Sequence, residues 1–252
     1  MDTKIELGER AWRTNLAKPL DISIPLREGP ESPNCFYAPL MRIEPVIAGD
    51  FIGDTDRGGL LNFKNVILNP HGNGTHTECY GHITSTHDSL QDCLKRYHFQ
   101  AALITVYPTR MENGDRVITR SQLEALKPLV GTEALIVRTM PNTENKMMRQ
   151  WSGSNPPYLS HEAASLMVEW GILHLLIDLP SVDREEDEGA LSAHRAFWRF
   201  PDAIRREATI TEMIYVPDFV ADGNYLLNLQ VTSIVLDVSP SKPVLYPLEV
   251  CL

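Results

Sequence analysis

The residues most able to do chemistry lie in one stretch, His71-Gly72-Asn73-Gly74-Thr75-His76-Thr77-Glu78-Cys79-Tyr80-Gly81-His82. It holds three imidazoles and one carboxylate, with three glycines between them. Imidazole and carboxylate are common ligands of catalytic Zn²⁺ and related divalent ions. The glycines let the backbone fold tightly enough for several side chains to converge. On extended chain, residues i and i+2 point to one side, so His76 and Glu78 can reach the same ion. Such an ion lowers the pKa of water to about 7 and creates a nucleophile at neutral pH. His82 is placed to exchange the proton. His71 is either a further ligand or a hydrogen-bond partner of the glycine turn. Cys79 reads as a small buried thiol rather than a soft ligand. No Gly-rich phosphate loop, GxSxG elbow or Cys/His nucleophile pattern competes with this reading.

The elements around this stretch must bring it to a point. Phe63–Leu68 reads as a strand that delivers the chain into it. Upstream, residues 6–17 predict a short helix, Leu20–Leu26 a strand by alternation, residues 27–42 a proline-rich loop, and Arg42–Ile47 a second strand. Downstream, Ala101–Tyr107, Ala134–Thr139 and His174–Asp178 read as buried strands, and Ala208–Ile214 as a strand or its entry. Ser121–Leu126 reads as a helix capped by Ser121, and Ser160–Gly171 as a helix with Ser160 at its N-cap and Gly171 at C′. Ser192–Phe200 is a short helix carrying His194. Tyr225–Val231, Ser233–Val238 and Pro243–Pro247 alternate with turns. Strands outnumber helices, which predicts an α/β fold in a single domain over 1–252, with a barrel-like or layered mixed sheet flanked by helices.

The totals set outer limits. The 252 residues carry a formal charge of −10, which argues against nucleic acid as a partner. No signal peptide and no membrane-length apolar run is visible. The four cysteines form no CxxC pair and read as reduced thiols, which fits a cytoplasmic protein.

The run Gly74-Thr75-His76-Thr77-Glu78 with His82 resembles the GTHxDxPxH signature of the cyclase-like metal-dependent hydrolases, the family of bacterial kynurenine formamidase and isatin hydrolase. Asp21–Leu26, Val137-Arg138-Thr139, Tyr158–Ala164 and Ile177-Asp178-Leu179-Pro180-Ser181-Val182-Asp183 resemble later family segments, so the likeness covers about residues 20–247. It implies an α/β fold around a β-barrel-like core, usually in a homodimer. It also implies metal binding by His76, Glu78, His194 and Glu212, with His82 as acid/base beside the metal. A mixed N and O donor set suits Zn²⁺ or Mn²⁺.

This sequence departs from the signature in four ways. The family's first histidine falls on Gly72, and His71 can replace it only if the loop carries one extra residue. Glu78 stands for the usual aspartate and Tyr80 for the proline, and the interval from His194 to Glu212 is long. The implied activity is hydrolysis of an amide-type C–N bond in an arylformamide or small cyclic amide, in a relative whose substrate differs from that of kynurenine formamidase. The competing reading is a non-catalytic ligand- or metal-binding protein with a degenerate site. Asp178, Ser181 and Asp183 are read as an Asx-type turn around Pro180 rather than as groups orienting a ligand. His87, His98, His161 and His174 are read as structural or exposed. Tyr80, Trp151, Tyr158, Trp198 and Phe200 are read as core packing rather than as pocket walls.

Overall fold

Parallel strands buried on both faces are continuously apolar, and Ala134-Leu135-Ile136-Val137 is such a run, with all four residues fully buried. The computed structural model describes residues 1–8 and 10–251. It places that run at the middle of an eight-stranded sheet. In chain order the strands are β1 (Leu20–Asp21), β2 (His76–Cys79), β3 (His98–Val106), β4 (Ala134–Thr139), β5 (His174–Ile177), β6 (Thr209–Glu212), β7 (Gly223–Val231) and β8 (Val238–Pro247). They lie in the order β7-β3-β4-β5-β6-β2-β8-β1, and β7 pairs back onto β8. The sheet thereby closes into the expected barrel. From β3 to β6 the ladder is parallel, and from β6 through β2, β8 and β7 it is antiparallel.

Two helices serve the parallel half. The first, α1 (His161–Glu169), starts where Ser160 accepts a hydrogen bond from the Ala163 amide, and Gly171 follows its end at φ +81°. It connects β4 to β5. The second, α2 (Ser192–Trp198), connects β5 to β6 and packs on α1. Phe197 and Trp198 of α2 are fully buried, each burial contributing about 2–3 kcal/mol.

Four expectations need correction. Residues 6–17 form no helix: Asp2–Leu7 and Arg10–Asn15 make an antiparallel hairpin, with Glu249–Val250 as its third strand. Trp12 and Thr14 point inward at a period of two, which a helix would not allow. The Leu20–Leu26 strand stops at Asp21, whose carboxylate takes the Ser23 amide at 3.0 Å and turns the chain. The helix at 120–124 is capped by Thr119 with Gln122 in a capping box, not by Ser121. Ser233–Val238 is no strand. Residues 232–237 are a loop, and β8 runs unbroken from Val238 through Pro240 and Pro243, which sit opposite His76 and Leu229.

Asp178, just beyond β5, is bound into the barrel end. It accepts from the Thr139 amide (2.9 Å) and hydroxyl (2.8 Å) and from Lys146 Nζ (2.7 Å), and all three residues are buried. These bonds, not an Asx turn around Pro180, occupy the carboxylate. Removing one partner of a buried ion pair leaves the other charge uncompensated. Lys146→Met is therefore expected to destabilise the protein by about 3–5 kcal/mol, read as a lower urea midpoint at unchanged m-value.

Candidate metal centre

The antiparallel junction of β2 and β6 builds the floor of the site. Register pairs His76 with Glu212, so two residues remote in sequence become cross-strand neighbours. Glu78, two residues on, faces the same side. His76 and Glu78 are each only 1% exposed. His76 Nε2 lies 3.4 Å from Glu212 Oε2, and Glu212 Oε1 accepts the Val182 amide at 2.8 Å. From α2, His194 reaches Glu78 Oε1 with Nε2 at 2.8 Å and stands 3.8 Å from Glu212 Oε1.

The loop before β2 supplies His71. Asn69 and Asn73 hold this loop: the Gly72 amide donates to Asn69 Oδ1 (3.0 Å) and the Asn69 amide to Asn73 Oδ1 (2.7 Å). Gly72 packs so tightly on the 35–38 segment that a Cβ there would lie 2.3 Å from Ala38 Cβ. Gly74 takes φ +139°, open only to glycine, and turns its carbonyl onto His76 Nδ1 at 2.8 Å. His71 Nδ1 then stands 3.3 Å from Glu78 Oε2, and the His71 and His82 rings are 4.4 Å apart. His82, on a 3₁₀ turn after β2, faces Glu78 Oε2 with Nδ1 at 3.8 Å. Thus His71, His76, Glu78, His82, His194 and Glu212 all border one region. The long interval between His194 and Glu212 is spanned by a return loop tied down by Trp198 Nε1 donating to the Ala208 carbonyl at 3.0 Å.

Two carboxylates outside this set were undervalued or missed. Asp183 is no mere turn residue. Its Oδ1 takes the Ala193 amide (2.6 Å), and its Oδ2 takes both the His194 amide (3.2 Å) and His194 Nδ1 (2.6 Å). Ser181 supports it by accepting the Asp183 amide at 3.1 Å. Asp237, from the loop misread as a strand, places Oδ2 3.1 Å from His71 Nε2 and 3.5 Å from His82 Nδ1. A histidine-rich stretch is visible in sequence; a lone aspartate in a distant loop gives no local signal.

The electrostatics favour positive charge at the centre. Burial opposes charge on Glu78, but His82, His194 and His71 outweigh it and hold the carboxylate well below its usual range. Burial likewise opposes protonation of His71, yet Asp237 and Glu78 raise it to about 9. His194 is raised well above its ordinary value by Asp183 and Glu78 against the same burial penalty. Hydrogen bonds from His71 and His82 keep Asp237 well below the usual carboxylate range. A divalent ion fits these residues. His76 Nε2 is buried with no hydrogen-bond partner, an expensive arrangement unless something accepts its lone pair. His71, His76 and Glu78 can offer donor atoms within 4.8 Å of one another, as can Glu78, His82 and His194.

A cavity of about 500 Å³ opens above the cluster. Its aromatic walls are Phe36 and Tyr37, both left-handed at φ 52°, with Ser181 and Leu191 opposite. Tyr80, Trp151 and Trp198 are core, as expected. Tyr158 bonds Asp115, and Phe200 stacks under Arg195. His174 is buried against Phe99 with Nδ1 on Thr209, and burial pushes it down to about 3. Cys79 is buried and free.

Residues 16–184 match the model of the family described as “Putative cyclase”. The chain belongs to the cyclase family. Kynurenine formamidase from Bacillus cereus is 27% identical to this chain over 195 residues, covering 77% of this chain and 84% of that protein. An isatin hydrolase bound to the product analogue thioisatinate superposes with TM-score 0.68 at 15% identity, covering 92% of this chain and 93% of that one. A potential metal-dependent hydrolase with cyclase activity gives TM-score 0.64 at 16% identity, over 91% and 97%. The resemblance read from the motif, and the barrel fold it implied, are borne out. No helix among the described residues is long and apolar enough to cross a membrane.

Because Gly72 carries the ligand loop against Ala38, Gly72→Ala is expected to cost about 1–3 kcal/mol through overpacking. Thermal melting should show the loss, and crystallography should show the 35–38 segment displaced.

Proposed function

We propose that this protein is a metal-dependent hydrolase of amide-type C–N bonds, acting on an arylformamide or a small cyclic amide. The observation that carries the reading is His76 Nε2, buried and unpartnered at the centre of a His/carboxylate set beneath a cavity. His71 through Nδ1, His76 and His194 through Nε2, and Glu78 and Glu212 would hold the ion, and Zn²⁺ or Mn²⁺ suits that mixture. When bound, the ion supplies Lewis-acid polarisation of a carbonyl and makes water acidic enough to be a nucleophile near pH 7.

The chain's own groups do the rest. Hydrolysis adds OH to the acyl carbon and H to the nitrogen that leaves. His82 borders the cavity with Nδ1 turned to carboxylates, so Nε2 is the atom that takes a proton from water and returns it to the departing nitrogen. Asp183 and the Gly74 carbonyl fix the tautomers of His194 and His76, leaving each Nε2 to face the centre. Phe36 and Tyr37 cover a planar group and limit access of bulk water. The non-catalytic reading drew on the histidine missing at Gly72; His71 stands in the site from the neighbouring position, which favours the enzyme.

The test is turnover of a panel of formamides, cyclic amides and lactones before chelation, after it, and after Zn²⁺ or Mn²⁺ is restored. Activity should vanish and return with the ion. His82→Ala should lower kcat about 10²–10⁴-fold at unchanged metal content. Metal-loaded protein that hydrolyses none of the panel would overturn the proposal.

For the partner, we propose a second copy of this chain. In the ribbon formed by Arg42–Pro45 and Lys64–Ile67 the second strand is exposed along its length and the first alternates exposed with half-buried residues. Val66 (54%), with Leu60 (99%) and Phe63 (57%) just before the ribbon's second strand, is open to solvent. Apolar exposure on this scale marks an interaction surface. Sedimentation is expected to give twice the 28.4 kDa chain mass, and Leu60→Glu with Phe63→Glu should shift it to one chain. A cytoplasmic setting suits the four free cysteines.

A further inference from the structure

Asp237 has a built position. Its carbonyl accepts the Cys79 amide at 3.0 Å, and the Leu236 carbonyl accepts the Leu90 amide at 2.8 Å. The loop is thereby pinned between β2 and the Leu90–Cys93 turn of helix. Gly81 leaves it room, since a Cβ at that residue would lie 3.2 Å from Asp237 Cβ. One carboxylate oxygen, Oδ2, then faces two imidazoles, His71 Nε2 at 3.1 Å and His82 Nδ1 at 3.5 Å.

The side of each ring matters. A neutral imidazole has one N–H, and an acceptor at one nitrogen draws the hydrogen there and bares the lone pair of the other. His71 turns Nε2 to Asp237 and Nδ1 to Glu78. His194 turns Nδ1 to Asp183 and Nε2 to Glu78. His76 turns Nδ1 to the Gly74 carbonyl and keeps Nε2 free. Three imidazoles thus each have an acceptor behind and turn the other nitrogen to the centre, where Glu78 faces those of His71 and His194. His71 differs in presenting Nδ1. The near nitrogen reaches the centre and the far one extends outward, where Asp237 meets it.

We propose that Asp237 is a positioning residue that fixes His71 to ligate the divalent ion through Nδ1 and turns His82 so that Nε2 faces the cavity. This rests on the function proposed above, which requires both an ion and a proton-transferring His82. Asp237 Oδ2 meets the outer nitrogen of His71 and Nδ1 of His82. Because these three residues also bring donor atoms within 4.8 Å of one another, the test below separates action through the rings from direct ligation. One carboxylate therefore links an ion ligand to the acid/base.

Metal-free protein is titrated with Zn²⁺ and with Mn²⁺ against a chromophoric chelator, and kcat and KM are measured on an uncharged aryl formamide. Asp237→Ala is expected to weaken ion affinity about 10–100-fold and to lower kcat with KM little changed. Asp237→Asn keeps an oxygen that accepts from His71 Nε2–H, and should bind within about tenfold of wild type. In a His71→Ala background, Asp237→Ala should cost no further affinity, the signature of an effect relayed through that ring. The assignment is overturned if Asp237→Ala leaves affinity and kcat unchanged, if its cost persists without His71, or if it removes a whole equivalent of bound ion, which would make Asp237 a ligand. Should the alanine variant not fold, Asp237→Asn decides, since a loss beyond about 100-fold contradicts a retained acceptor. Wild-type protein that takes up no ion defeats the metal reading itself. Wild type that binds an ion but is indifferent to Asp237 defeats this assignment alone.

Discussion

Glu78 and Glu212 are two carboxylates buried in one barrel wall, and the need of Glu78 for positive charge in contact organises the site. A carboxylate removed from water costs several kcal/mol unless paired. Here both lie beside His76 and His194 at the junction where the sheet changes from parallel to antiparallel. The change is what allows the meeting. An antiparallel ladder sets His76 directly opposite Glu212, while the parallel half brings α2 and His194 over the same spot. The rest of the enclosure supports that encounter: Asp183 behind His194, the Gly74 carbonyl behind His76, and the Val182 amide on Glu212.

The sequence revealed the parts whose signals are local. The run 134–139 was legible as a buried strand because four apolar residues stand between turns, and α1 because Ser160 and Gly171 mark its ends. The histidine stretch was legible because its donors lie within twelve residues. The hairpin at 2–15 was not, since its few large apolar residues, Ile5, Leu7 and Trp12, suit either period. The run from Val238 through two prolines looked interrupted, and that misreading hid the loop that carries Asp237. Phe36 and Tyr37 were hidden differently. They sit in a proline-rich connection, where composition announces a loop and says nothing about what the loop covers.

Backbone conformation adds a pattern of its own. Phe36, Tyr37, Leu191 and Met213 are all left-handed although none is glycine. The first three line the cavity, and the Met213 carbonyl receives the Thr75 hydroxyl one residue from His76. Such conformations cost about 1–3 kcal/mol each and persist where surrounding contacts over-determine them. These four gather around one cluster, while His87, Asn155, Glu188 and Arg199 are left-handed outside the cavity lining. The four match the tight hydrogen bonding at the site, and both are what a preorganised site requires.

The contact of Gly72 with Ala38 has a consequence for how this protein can change. The loop that presents His71 and the loop that bears the aromatic walls share one close-packed seam. Their histories are therefore bound together. A lineage that enlarges or reshapes the substrate wall will disturb the ion's surroundings in the same step, so new specificities should arise through paired changes on both sides of the seam.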